Sequence, residues 1–129
     1  CSIPSSIGVT ISKKNIPSFC ILGDGGMQSY SAEFKLIQKL SLPICFLFMK
    51  DGYYSSVRRP GESDISLNAV KFPNPSWLKF INSLEMKAFE CNEINNFEKI
   101  IDEWDLNSPL FIECSFEEKA YRNMTRKLR

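Results

Sequence analysis

The sequence contains no histidine, and that absence removes more chemistry than any other feature of the composition. Without an imidazole there is no zinc site of the His type and no Ser-His or Cys-His nucleophilic couple within the chain. Net charge is nearly absent too: 16 Lys and Arg face 15 Asp and Glu, a formal +1, so no global field draws the protein to nucleic acid or to an anionic membrane. No C-x-x-C pair occurs among the five cysteines, Cys1, Cys20, Cys45, Cys91 and Cys114. An odd number without paired spacing, four of them in apolar runs, reads as buried reduced thiols in a cytoplasmic protein. No stretch approaches the ~20 apolar residues of a membrane span, and the opening Cys1-Ser2-Ile3-Pro4 lacks the parts of a secretory signal. A start at Cys1 rather than Met reads as a fragment or a processed product. Acid-base work falls to carboxylates, Lys, Tyr, a cofactor or another chain.

What remains is 129 residues, 43% of them apolar, enough for one domain with a real core. Four strand-sized apolar runs rich in β-formers occupy residues 19–22, 44–49, 87–91 and 110–114. Runs without alternation predict parallel strands buried on both faces. Between them lie helical periods: Trp77, Phe80, Ile81 and Leu84 after a Pro75-Ser76 start, and Phe97, Ile100, Ile101 and Trp104 after Asn95-Asn96, with Glu98 in the first turn. A third helix is expected over residues 31–41, stopping before Leu42-Pro43. Alternation of strand and helix argues an α/β fold, an open and mainly parallel sheet with helices on both faces and right-handed crossovers. Residues 4–13 are ambiguous, because Ile7, Val9, Thr10 and Ile11 disfavour helix while the small residues suit close packing on a sheet. Residues 58–75, with Pro60-Gly61 and Pro73-Asn74-Pro75, predict a long connection of the kind that often carries function, with at most one short element near Leu67. The domain is expected to span residues 1–118, followed at 119–129 by a tail carrying Lys119, Arg122, Arg126, Lys127 and Arg129 without one acid, a solvated terminus.

Chemistry concentrates at Ile21-Leu22-Gly23-Asp24-Gly25-Gly26-Met27, a strand entering a glycine turn and then a helix. Ligands bind at this edge of open α/β sheets. Glycines let backbone N–H groups reach phosphate oxygens, and an Asp beside them repels phosphate unless it holds a hard cation such as Mg²⁺. An ordinary Gly-Asp-Gly turn accounts for this motif equally well. A second strand ends in Phe48-Met49-Lys50-Asp51-Gly52-Tyr53-Tyr54. The 24 residues between Gly25 and Lys50 are the length of one helix and one strand, so a single crossover brings both turns to one edge, where Asp24 and Asp51 can converge on one cation. No G-K-[ST] follows to make a P-loop, and the third glycine of the dinucleotide fingerprint is missing.

These two turns, with what surrounds them, resemble the thiamine diphosphate enzymes of the acetolactate synthase and pyruvate decarboxylase type, whose cofactor signature is G-D-G, a helix and a strand, then N-N. Gly23-Asp24-Gly25 matches the first half, and Lys50-Asp51 stands at the N-N position. Pro4-Ser5-Ser6-Ile7-Gly8 is similar to P-A-A-I-G, Glu33 to the Glu of Q-E-L, and Leu42-Pro43-Ile44 to L-P-I. Tyr54-Ser55-Ser56-Val57-Arg58 is similar to Y-x-S-I-R, Pro75-Ser76-Trp77-Leu78-Lys79 to P-D-F-x-K, and Lys87-Ala88-Phe89 to K-A-F.

The resemblance implies the C-terminal, diphosphate-binding domain of that family, with thiamine diphosphate and Mg²⁺ as cofactors. Asp24, Asp51 and the Tyr53 carbonyl would hold the metal; Gly23, Gly25, Gly26, Met27 and Tyr54 would line the cofactor. Lys50 departs from the family's first Asn. The resemblance also implies an N-terminally truncated domain, because the family's first strand, a helix and the M-G-x-G-L segment do not precede Pro4. The pyrimidine-binding domain that supplies the activating glutamate would come from elsewhere, so no catalytic residue is expected in this chain. Its implied activity is that of a 2-oxo acid decarboxylase or carboligase in an oligomer, inactive as this chain alone. The alternative is a degenerate, non-catalytic binding or assembly module of the same fold.

Overall fold

The computed structural model describes residues 2–14, 16–54, 68–71 and 75–115. Four strands, β1 (Ser18–Gly23), β2 (Ile44–Lys50), β3 (Lys87–Cys91) and β4 (Leu110–Ser115), form one parallel sheet in the order β1-β2-β4-β3. Each coincides with an expected apolar run to within a residue at either end.

The ambiguous opening is a helix, α1 (Ser2–Ser12). Ile3, Ile7 and Thr10 lie at i, i+4 and i+7 and are its buried residues. Packing against the sheet overrides the β-branched preference, and the buried Thr10 hydroxyl is matched to the Ser18 hydroxyl at 2.8 Å. After β1 the chain turns helical at once in α2 (Asp24–Tyr30), passes through a 3₁₀ turn (Ser31–Glu33) and continues as α3 (Phe34–Lys39). The helix expected from residue 31 therefore begins seven residues earlier, and the glycines sit in its first turn rather than in a loop. Ser41, at φ 46, ends the helical stretch ahead of Pro43. Ser76 caps α4 (Trp77–Ser83), its hydroxyl accepting the Lys79 N–H at 3.4 Å, as Pro75-Ser76 predicts. The last helix, α5 (Ile94–Asp102), starts one residue before Asn95-Asn96, and its first turn holds no acid. Trp104 lies beyond its end, with the indole N–H donating to the Ser108 carbonyl at 2.7 Å.

One face of the sheet is covered by α1, α3 and α4. Ile3 and Ile7 from α1, Phe34 and Ile37 from α3, and Trp77 and Ile81 from α4 pack on Cys20, Leu22, Ile44, Phe46, Phe48 and Phe111. Ring pairs reinforce this layer, with Phe34 edge-on to both Phe46 and Phe111 at centroid distances of 4.8 and 5.8 Å. The other face carries α5, whose Ile100 joins Trp104 against Cys45, Cys91, Leu110 and Ile112. Burial on both faces therefore holds best for the central strands β2 and β4 and not for the edge strands, β1, where Phe19 is 55% and Ile21 64% exposed, and β3, where Phe89 is 41% exposed. The β3-to-β4 crossover lays α5 over its own half of the sheet and leaves the β1 half open.

Among the described residues Cys20, Cys45, Cys91 and Cys114 are free thiols, as expected. Burial pushes the Cys45 thiol up to about 12 and Cys114 to about 11, with neighbouring cysteines adding to both. No helix among these residues is long and apolar enough to cross a membrane. Residues 68–70 are helical, the short element expected near Leu67. The rest of the long connection before Pro75, apart from Lys71, lies outside the described residues, as does the basic tail.

Candidate functional site

Strands β1 and β2 are adjacent and parallel, with Gly23 opposite Met49, so the two glycine motifs leave the sheet side by side at its carboxyl edge. Asp24 opens α2 and is 3% exposed. Its Oδ2 accepts the N–H of Asp51 at 3.0 Å and of Gly52 at 3.2 Å. One carboxylate oxygen thus ties the Gly-Asp-Gly motif to the Lys-Asp-Gly turn 27 residues later. The meeting of the two turns at one sheet edge, expected from one crossover length, is present in the fold.

The turn is shaped by its own residues. Asp51 Oδ1 accepts the Tyr53 N–H at 2.9 Å, an Asx turn, and Gly52 occupies φ +79, a left-handed conformation that favours glycine. Tyr53 then bridges antiparallel to Lys71, and the Tyr54 N–H donates to the Val70 carbonyl at 2.8 Å. The Tyr54 ring lies on Gly25: a Cβ there would come within 2.5 Å of Cε1 and 2.9 Å of Cδ1. A side chain at position 25 would therefore have to displace the Tyr54 ring. At Gly26 a Cβ would meet Leu22 Cβ at an ordinary 3.5 Å. Gly23 is exposed, extended at φ −104, and provides no side-chain cap for α2. The Met27 side chain is fully buried in the core, so only its backbone belongs to this edge.

Lys50, the departure from the family pattern, does not disorder the turn. Its Nζ is 2.5 Å from Glu113 Oε1, on the neighbouring strand β4. Glu113 is 3% exposed, and its Oε2 is buried without a hydrogen-bond partner among the described residues. Sequence reading missed Glu113. The available signal was a single charge inside the apolar run of residues 110–114, since a buried charge needs a partner.

The edge therefore sets the Asp24 carboxylate against the turn that carries Asp51 and Tyr53. Among the described residues no group of three or more His, Cys, Asp or Glu side chains is arranged to hold a metal ion. Two carboxylates and a backbone carbonyl fit Mg²⁺, which takes one or two carboxylates and completes its octahedron with phosphate oxygens and water. The first-turn N–H groups of α2, uncapped by a side chain, are donors that an anion can meet.

A solved structure of a protein from Mycobacterium smegmatis, described as a thiamin diphosphate-dependent enzyme, is similar in fold. It superposes with a TM-score of 0.73 at 14% identity over 89% of this chain and 22% of its own, so the chain spans about a fifth of that relative's length. With the parallel sheet and the joined motifs at its carboxyl edge in place, the family model of the thiamine pyrophosphate enzyme C-terminal TPP-binding domain matches residues 1–114, and the chain belongs to that family.

Proposed function

We propose that the carboxyl edge of β1 and β2 holds thiamine diphosphate through Mg²⁺, and that the chain is the diphosphate-binding part of a 2-oxo acid decarboxylase or carboligase resembling acetolactate synthase. The observation that carries this reading is the Asp24 carboxylate, buried and bonded to the backbone of the Asp51 turn. Asp24, Asp51 and the Tyr53 carbonyl hold the metal, and the backbone of Gly25, Gly26 and Met27 meets the diphosphate. Tyr54, lying on Gly25, covers the start of α2 and limits access of water to it.

When bound, the cofactor supplies carbanion stabilisation at the 2-oxo carbon. This chain's residues bind and orient it. A carboxylate that sets the protonation state of the aminopyrimidine comes from a pyrimidine-binding domain or subunit, and the assembly is an oligomer. The supporting argument is physical: one sheet edge leaves the reactive half of the cofactor in water, without the closed low-dielectric cleft that such charged states require.

Titration calorimetry with thiamine diphosphate, with and without Mg²⁺ and in the presence of a complementing chain, tests the proposal. Binding is expected only with the metal and is abolished by Asp24→Ala. Failure of the unaltered chain to bind favours a non-catalytic assembly module of the same fold. In parallel, the chain alone is expected to release no CO₂ from a 2-oxo acid, and robust turnover without a partner overturns the division of the active site.

A further inference from the structure

We infer that Lys50 and Glu113 form a positioning pair that pins the metal-holding turn from the β4 side, as Asp24 pins it from the β1 side. This inference rests on the cofactor reading for its consequence but on the fold for its geometry. Lys50 is the last residue of β2, and the turn begins at the next residue. In register, Phe48 lies opposite Glu113 and Lys50 opposite Ser115, so the ammonium reaches back two residues along β4 to meet the carboxylate at 2.5 Å. That reach holds the last residue of β2 in one orientation where the chain leaves the sheet. On the other side the Asp24 oxygen accepts the next two backbone N–H groups, those of Asp51 and Gly52. Three consecutive residues, 50 to 52, are thereby held by two carboxylates, Glu113 on β4 and Asp24 at the start of α2 just after β1.

The pair is asymmetric in a way that points to this role. Glu113 is 4% exposed in its side chain and Lys50 32%, so the acid is fixed within the sheet and the base comes to it from the edge. With Oε2 unpartnered among the described residues, the carboxylate is met by Lys50 at its other oxygen. A purely structural buried pair is replaceable by two apolar side chains without loss. A positioning pair is not, because two apolar side chains fill the space but do not fix the orientation of the residue before the turn.

That difference defines the experiment. Lys50→Met alone strands a buried carboxylate and loses stability under either reading. The double variant Lys50→Met with Glu113→Leu regains the thermal midpoint of the unaltered chain. Two readouts then separate the roles. Amide hydrogen exchange at Asp51 and Gly52, read by NMR without cofactor, is expected to be roughly tenfold or more faster in the folded double variant, the scale of local opening of a loosened segment. Mg²⁺-dependent thiamine diphosphate affinity is expected to fall by about tenfold or more in the same variant, and Lys50→Arg, which keeps the cation, is expected to restore most of both. Exchange and affinity unchanged in a folded double variant overturn the inference. If the unaltered chain binds no cofactor, the cofactor reading fails while the exchange result still decides the role of the pair.

Discussion

Asp24 and Glu113 are buried to the same degree, each 3% exposed, at the same edge of one sheet, yet they are held by opposite means. Asp24 faces two backbone N–H groups that the fold delivers through the meeting of β1 and β2. Glu113 meets one long side chain, and its second oxygen has no partner among the described residues. Backbone donors are already ordered by the strand and turn, so they hold a charge at little further entropic cost. A lysine must be immobilised for the purpose, at up to about 2 kcal/mol of rotamer freedom. The carboxylate proposed to hold the metal is thus secured by architecture, and the one proposed to support the turn is secured by a single substitutable residue.

The sharpest way to break this comparison is Lys50→Met, which leaves Glu113 buried with no cation. A loss of about 3–5 kcal/mol is expected, read as a shift in the urea midpoint at constant slope; a loss well below that range means that water already reaches Glu113. Next comes the stability of Asp24→Ala, which orphans two N–H groups rather than a charge. About 1–3 kcal/mol is expected, with Asp24→Asn, which keeps an acceptor oxygen, costing less. Equal losses for Ala and Asn locate the effect in the charge instead of the two hydrogen bonds. The smallest effect belongs to Asp51→Asn. It keeps the oxygen that accepts from Tyr53 and removes one negative charge beside an anionic cofactor, so affinity stays equal or rises. A drop of more than about tenfold, roughly 1.4 kcal/mol, shows that the charge at Asp51 is itself needed.

What the sequence made legible follows the range of each interaction. Strands β2 and β4 were readable because their runs are apolar on both faces, and the meeting of the two glycine motifs because helix-plus-strand length sets where a crossover returns. Helix α1 was not readable, since Ile7, Val9, Thr10 and Ile11 point locally to extended chain and only the sheet beneath them decides otherwise. Nor was the open side of β1. Phe19 and Ile21 have the same apolar character as Cys20 and Leu22, and no local pattern says that α5 covers the far half. Helix α2 began early because Asp24 and two glycines tolerate a first turn that propensity alone would place later. Glu113 stayed hidden because its partner is 63 residues away, and a salt bridge between strands leaves no periodicity to find.

The thiol at Cys45 turns the core into a record of its own openings. Held at about 12 against an ordinary 9.0, only on the order of one Cys45 in ten thousand is a thiolate at pH 8, and the thiolate is the species that alkylates. Once the α5 layer lifts from β2 and β4, that fraction rises about a thousandfold toward the unburied value. Iodoacetamide labelling of Cys45 therefore runs at a rate set by how often the layer separates, so a labelling time course on each variant reports the stability of this region under native conditions, without denaturant and without any bound ligand.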